Sequence, residues 1–110
     1  MKISGKVIRG KGKGKELGFP TVNIELHKKI ESGVYAGKVN YDDKEYKVGI
    51  FVNKDSNLLE AHLVGFSGNL YGEDIEIEIR NRIRDVMKFE NDEELKRQIK
   101  NDIKNICSQE

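Results

Sequence analysis

Short apolar segments, separated by clusters of Gly, Asn, Asp and Ser, make up most of the sequence before Phe89. This spacing predicts a small antiparallel β-barrel or β-sandwich. The clearest segment is Ile75–Ile79, where strict alternation places isoleucines on one face and glutamates on the other. The predicted strands are Ile3–Arg9, Thr21–Leu26, Val34–Tyr41, Glu45–Val52, Leu58–Phe66 and Ile75–Ile83.

The hydrophobic period changes after Phe89 from that of a strand to that of a helix. Apolar residues then recur at i, i+4, i+8 and i+11, which predicts one α-helix from about Asp92 to Ile106. Asn91 or Asp92 is the expected N-cap. These residues form the stripe: Leu95, Ile99, Ile103 and Ile106. The pattern as a whole therefore predicts a mainly β fold, in which one C-terminal helix closes a barrel. A hairpin turn is expected at Asp42–Lys44.

Length and composition indicate one domain spanning residues 1–110. Charged residues make up 35% of the chain and hydrophobic residues 36%, and mean hydropathy is −0.66. No apolar run reaches the length of a transmembrane helix, and no leader-like segment precedes the first predicted strand. The single cysteine, Cys107, cannot form an intramolecular disulfide. We therefore expect a cytoplasmic protein without a membrane partner.

A glycine- and lysine-rich segment lies near the N-terminus. Five of the eleven glycines lie between Gly5 and Gly18, interleaved with lysines, and the net charge of +1 hides a basic N-terminal end. Such a segment favours anions, either nucleic acid or a small phosphate ester. It matches neither a Walker A loop nor a dinucleotide fingerprint. A flexible, solvated hairpin explains the segment equally well.

Thr21 and Asn23 follow the single proline, Pro20, at the start of a predicted strand. Being two residues apart, they share a face. A hydroxyl and an amide oxygen beside a phosphate-binding loop are suitable ligands for Mg²⁺ that enters with a nucleotide. The more common role of such a pair is hydrogen bonding at a turn or strand edge.

Glu60 is a charged residue within an otherwise apolar predicted strand, and it shares a face with His62. Such a carboxylate either lies on an exposed strand surface or points into a pocket as a general base. From the residues alone, the exposed position is the favoured one. For His62 a structural role is favoured over metal binding, because no second ligand cluster accompanies it.

Seven short motifs span the chain from about Gly5 to Asp102. The most specific motif is Gly-Phe-Pro-Thr-x-Asn. The motifs are Gly5-x-Val7-x-x-Gly10, Gly14-Lys15-x-Leu17-Gly18-Phe19-Pro20-Thr21-x-Asn23, Gly33-Val34-Tyr35-Ala36-Gly37, Glu60-x-His62-Leu63, Leu70-Tyr71-Gly72, Ile83-Arg84-x-x-x-Lys88-Phe89 and Glu94-Leu95-x-x-Gln98-Ile99-x-x-Asp102. They occur in the order found in riboflavin kinases, and over this range the chain resembles that family.

The resemblance implies a closed six-stranded barrel that transfers the γ-phosphoryl group of ATP to the 5′-hydroxyl of riboflavin, giving FMN. It implies that Glu60 is the catalytic base, that Arg84 and Phe89 bind the flavin, and that Mg²⁺ or another divalent cation is held by Thr21 and Asn23. It also implies a nucleotide site made of Gly10, Lys13, Gly14, Lys15, Thr21, Asn23 and Tyr71.

The sequence departs from the family pattern at three places. The stretch Val48–Asp55 is short and lacks a Pro-Thr-Phe motif, Val86 replaces an acid, and Lys13 stands where many members have Arg. Because 110 residues leave no space for an adenylyltransferase, we expect the product to be FMN. We also expect the protein to be a monomer. The alternative is a non-catalytic barrel that binds nucleotide, flavin or RNA through its Lys/Gly-rich loop. Nucleic acid is not a partner in the preferred interpretation.

Overall fold

The computed structural model describes residues 1–9, 17–54 and 57–108. Within these ranges, six strands precede one long helix, as the hydrophobic pattern predicts. The elements are β1 (Lys2–Ile8), β2 (Val22–Glu25), β3 (Gly33–Tyr41), β4 (Lys44–Val52), β5 (Leu58–Leu63), β6 (Asp74–Arg84) and α1 (Asp92–Ser108).

The strands pair antiparallel and close into a barrel in the order β1-β2-β5-β4-β3-β6. The prediction of a closed six-stranded barrel with a C-terminal helix is therefore confirmed. Alternate residues of each strand fill the interior, including Ile75, Ile77 and Ile79 of β6. Closure leaves no free sheet edge in the barrel.

Most predicted strand limits differ from the structure by one residue, and the end of β5 differs by three. β5 ends at Leu63 rather than Phe66, because the chain turns at Gly65, where φ is +81°. The turn between β3 and β4 consists of Asp42 and Asp43 alone, with φ of 53° and 62°. Lys44 already pairs with Tyr41, so it belongs to β4. Positive φ at both central residues is typical of a two-residue hairpin turn.

The helix α1 begins after Asn91, whose Oδ1 accepts a hydrogen bond of 2.9 Å from the backbone N–H of Glu94. The Glu94 carboxylate in turn accepts a bond of 3.2 Å from the N–H of Glu90. Asn91 is therefore the N-cap, and the Glu94 side chain binds the backbone one residue before it. Lys47 of β4 donates to the carbonyl oxygen of Cys107 at 2.8 Å, near the other end of the helix.

The helix packs against the outside of β4. Ile106 is 2% exposed, and a Cβ atom at Gly49 would lie 2.9 Å from its Cδ1, so the small glycine lets the helix approach closely. Ile99 is also buried, whereas Leu95 and Ile103 are half-buried and border a cavity. The apolar stripe therefore both packs the helix and lines a cavity. Among the described residues, no helix has the length and apolar character needed to span a membrane.

Candidate active site

One residue from each strand belongs to a continuous row of cross-strand partners that runs from strand to strand around the barrel. Neighbouring residues such as Ile24, Leu59 and Tyr35 belong to the interior core. Because facing residues in antiparallel strands share a face, the row lies on the outer surface. The row consists of Ile8, Asn23, Glu60, Phe51, Val34 and Arg84, in the strand order of the barrel.

This register brings together residues that are distant in sequence. Asn23, Glu60 and Arg84, each a predicted site residue, occupy the row on β2, β5 and β6. Arg84 pairs with Val34 of β3, next to a register shift between Val34 and Tyr35. The predicted site therefore extends over one outer surface of the barrel.

Glu60 and Thr21 are in direct contact. The Thr21 hydroxyl donates to Glu60 Oε1 at 3.4 Å, a long hydrogen bond between residues 39 positions apart. Thr21 lies just before β2, whose first residue, Val22, pairs with Ala61 next to Glu60. Glu60 is half-buried. The carboxylate is therefore a partly desolvated group held against a hydroxyl, rather than a freely solvated strand residue.

Three concave regions meet around these two side chains. The largest, here called the groove, has a volume of about 670 Å³ and is bordered by Thr21, Asn23 and Tyr71. A helix-side cavity of about 130 Å³ lies between the barrel and α1, and both Thr21 and Glu60 line it. A loop-side cavity of about 170 Å³ also reaches Glu60. Thr21 thus borders the groove and the helix-side cavity, while Glu60 borders both cavities.

The helix-side cavity has mainly apolar walls. Phe19, Phe51, Leu95 and Ile99 contribute to them, together with the Glu60 carboxylate. These walls favour contact with an apolar group, and the Glu60 side chain is also part of the lining. Phe19 and Leu95 belong to the family motifs but were not predicted as site residues. Phe51 was not predicted either, and the only sequence signal for it is the alternation of residues along β4.

Arg84 and Phe89 both line the loop-side cavity, whose rim carries the exposed residues Val86 and Met87. The guanidinium of Arg84 is already bonded within the protein. Its Nε and Nη2 donate to Asp102 Oδ1 and Oδ2 at 2.9 and 2.8 Å, and its Nη1 donates to the Asp85 carbonyl at 2.9 Å. Arg84 therefore borders the cavity with most of its donors directed at α1 and at the following loop.

Arg82 holds the same loop from its other side. Its Nη2 donates to Asp85 Oδ1 at 2.5 Å and to the Ser32 carbonyl at 2.7 Å. The hydrogen bond to the Asp85 carboxylate raises the pKa of Arg82 further above its usual range. The backbone and the side chain of Asp85 are thus bound by two arginines at the end of β6.

His62 connects β5 to the segment that carries Thr21. Its Nδ1 lies 2.8 Å from the Pro20 carbonyl oxygen, and its ring meets that of Phe19 edge-on at 5.8 Å. A carbonyl oxygen only accepts, so Nδ1 carries the proton. The structural role expected of His62 agrees with this contact.

Tyr71 borders the groove and is 52% exposed. The guanidinium carbon of Arg9 lies 4.8 Å from the centre of its ring, a cation–π contact. Arg9 was not predicted as a site residue, although it lies within the basic N-terminal segment. The pair forms a flat, positively charged wall of the groove.

The remaining predicted residues, Gly10, Lys13, Gly14 and Lys15, lie outside the described residues. Within the described ranges, no group of three or more His, Cys, Asp or Glu side chains is arranged to hold a metal ion. Thr21 and Asn23 do share the groove and supply neutral oxygen atoms. They suit a cation that brings most of its ligands with it, as Mg²⁺ does when bound to a nucleotide.

The sequence matches a known family. The sequence model described as Flavokinase, riboflavin kinase, matches residues 1–109. The chain belongs to the riboflavin kinase family. It is 40% identical over 111 residues to the bifunctional riboflavin kinase/FMN adenylyltransferase of Haemophilus influenzae. That match covers 93% of this chain and 36% of the relative, so the chain spans about a third of that protein's length.

Solved structures of similar fold agree with the barrel. The crystal structure of riboflavin kinase from Trypanosoma brucei has a TM-score of 0.70 and 24% identity, covering 96% of this chain and 76% of that one. A Streptococcus pneumoniae structure described as a macrolide-efflux protein has a TM-score of 0.89 and 26% identity. It is matched over 99% of this chain and 39% of its own. The resemblance to riboflavin kinases inferred from the seven motifs is thus confirmed, while the roles of individual residues stay predictions.

Proposed function

We propose that this protein is a riboflavin kinase, which transfers the γ-phosphoryl group of ATP to the 5′-hydroxyl of riboflavin and releases FMN and ADP. The observation that carries the proposal is the Glu60–Thr21 contact, which lies where a polar groove meets two smaller cavities. A transferase for two substrates needs such a junction, with a proton acceptor beside it. Family membership supports the same activity.

The groove is the proposed nucleotide site. The Arg9–Tyr71 pair offers a flat surface on which a nucleobase can stack. Thr21 and Asn23, at the other side of the groove, would hold a divalent cation and the phosphates. We assign Gly10, Lys13, Gly14 and Lys15 to the phosphates because their backbone N–H groups and ammonium charges favour anions.

The two cavities are the proposed riboflavin site. The apolar walls of the helix-side cavity suit the isoalloxazine ring system. Arg84 and Phe89 border the loop-side cavity and would approach the flavin from the loop that follows β6. Because Glu60 borders both cavities, the ribityl chain of a flavin bound there would reach its carboxylate.

In the proposed reaction, Glu60 accepts the proton of the 5′-hydroxyl while the oxygen forms a bond to the γ-phosphorus. The bond from the γ-phosphorus to the bridging oxygen breaks, and the electron pair leaves with ADP. Thr21 donates to Oε1, which orients the carboxylate and assigns Oε2 to the substrate hydroxyl. The bound cation would supply countercharge to the phosphates. Positioning and charge neutralisation account for most of the rate in such a transfer.

We further propose that the protein acts as a monomer in the cytoplasm, where ATP is available and the exposed Cys107 stays reduced. The test of function is incubation of the purified protein with riboflavin, ATP and Mg²⁺, with FMN separated by chromatography. ATP-dependent FMN formation supports the proposal. Absence of FMN, together with binding of RNA that weakens steeply with salt, would instead support a non-catalytic nucleic-acid-binding barrel.

A further inference from the structure

The most deeply buried charged side chain among the described residues has no role in the proposed transfer step. Asp102 on α1 is 1% exposed, and it lines the helix-side cavity of the proposed riboflavin site. Its carboxylate accepts two hydrogen bonds from Arg84 and one of 3.0 Å from Gln98 Nε2. A buried carboxylate is unfavourable unless it is paired and fully hydrogen-bonded, and here it is. Gln98 and Asp102 belong to the last family motif, but the proposed reaction gives neither a role.

The ion pair joins the two elements that flank the loop at residues 85–91. Arg84 is the last residue of β6, and Asp102 lies on α1, which follows the loop. The same loop is held at its start by both arginines through Asp85 and at its end by the Asn91 cap. Between these fixed ends lie Met87 and Phe89, which border the loop-side cavity.

Asp102 is not the only buried residue of α1 that packs against the barrel. Ile99 and Ile106, about one turn to either side of it, already bury their side chains against the barrel. Replacing a whole buried ion pair by apolar residues of similar volume is often neutral or stabilising. The particular contribution of Asp102 is directional, because two-point pairing fixes the plane of the Arg84 guanidinium.

We propose that Asp102 is a positioning residue for riboflavin. By fixing the Arg84 guanidinium, whose Nη1 binds the Asp85 carbonyl, it sets the position of the loop at residues 85–91 against the loop-side cavity. This inference rests on the proposed function, and it assigns to Asp102 an effect on the flavin but none on the nucleotide. The groove lies on the other side of Thr21, and neither Arg84 nor Asp102 borders it.

The test compares Asp102→Asn, Arg84→Lys and the double variant in steady-state kinetics. Asn keeps the shape of the side chain but has one acceptor oxygen, so the two-point pairing is lost. Each single variant should raise KM for riboflavin about 10-fold to 100-fold, as expected for a misplaced binding group, with KM for ATP unchanged. The double variant should be no worse than the poorer single variant, because both remove one shared interaction.

Two further variants keep the test informative if Asp102→Asn does not fold. Gln98→Met removes one hydrogen bond to Asp102 and borders neither cavity, so it should raise KM for riboflavin about 2-fold to 10-fold. Ile77→Val weakens the fully buried core on the same strand as Arg84 and should leave both KM values unchanged. Hydrogen exchange of the ligand-free protein should accelerate at residues 85–91 in Asp102→Asn and not in Ile77→Val.

A lowered melting temperature in Asp102→Asn with an unchanged KM for riboflavin would overturn the inference. So would additive effects in the double variant, because these would mean that Arg84 contacts riboflavin independently of Asp102. If the wild-type protein neither binds riboflavin nor forms FMN, the proposed function fails and this inference fails with it. FMN formation by wild type with no KM change in the variants refutes the inference alone.

Discussion

Replacing Glu60 by Gln removes the proposed proton acceptor with little change in shape. Gln retains a carbonyl oxygen at the position of Oε1, so the hydrogen bond from Thr21 can persist. That bond is 3.4 Å long, near the limit for a hydrogen bond, so little stability depends on it. Since Glu60 is half-buried on the outer surface of the wall, we expect the melting temperature to change little.

The expected loss is in turnover. A positioned general base contributes about 10²-fold to 10⁴-fold to the rate, which corresponds to about 2.7–5.5 kcal/mol of transition-state stabilisation. Because only the transition state loses an interaction, the loss should fall on kcat and leave KM for both substrates nearly unchanged. The assay is steady-state FMN formation, with riboflavin binding followed separately by quenching of flavin fluorescence.

Glu25→Gln is the matched control for Glu60→Gln. Glu25 is an exposed glutamate on β2, paired with Leu58, and it borders none of the three concave regions. The same change in charge at this position should leave kcat unchanged. A kcat for Glu60→Gln within about threefold of wild type, far inside the expected loss, would refute the assignment of Glu60 as the base.

Four other outcomes are expected. Flavin fluorescence should be quenched when riboflavin binds in the presence of ADP and Mg²⁺; unchanged emission at saturating protein would contradict the proposed flavin site. Thr21→Ala should weaken use of ATP and Mg²⁺ and shift the melting temperature little, and wild-type activity across a Mg²⁺ titration would exclude Thr21 from the site. Ile99→Ala should destabilise the fold by about 2 kcal/mol, near the lower end for such changes, because Ile99 borders an existing cavity. Chemical denaturation measures this loss, and an unchanged midpoint would mean that the helix packs by other contacts. The negative charge of Glu73 raises the pKa of Tyr41, and partial burial of Tyr41 and its hydrogen bond to Glu73 act in the same direction. The contribution of the neutral Tyr41 hydroxyl to stability is therefore present below about pH 10 and is lost as the pH rises through the raised pKa. Tyr41→Phe should flatten the alkaline decline in the urea midpoint, and an identical decline in both proteins would contradict the assignment.

The sequence by itself determined the elements and the family. Alternation in Ile75–Ile79 and the helical stripe ending at Ile106 predict a strand and a helix because each pattern reports which face of a local element avoids water. The short motifs identify riboflavin kinases because they constrain residue types over a few neighbouring positions. Where local signals compete, as at Gly65, the predicted end of a strand is wrong by a few residues.

Only the tertiary structure decided which distant residues meet. The choice between an exposed and a pocket position for Glu60 depends on the register of β2 and β5, which brings Thr21 to it across 39 positions. The pairing of Arg84 with Asp102 likewise depends on how α1 returns to the end of β6. Barrel closure and strand register are global properties, because a slip of one residue would move every side chain of a strand to the opposite face. No local pattern in the sequence specifies that register.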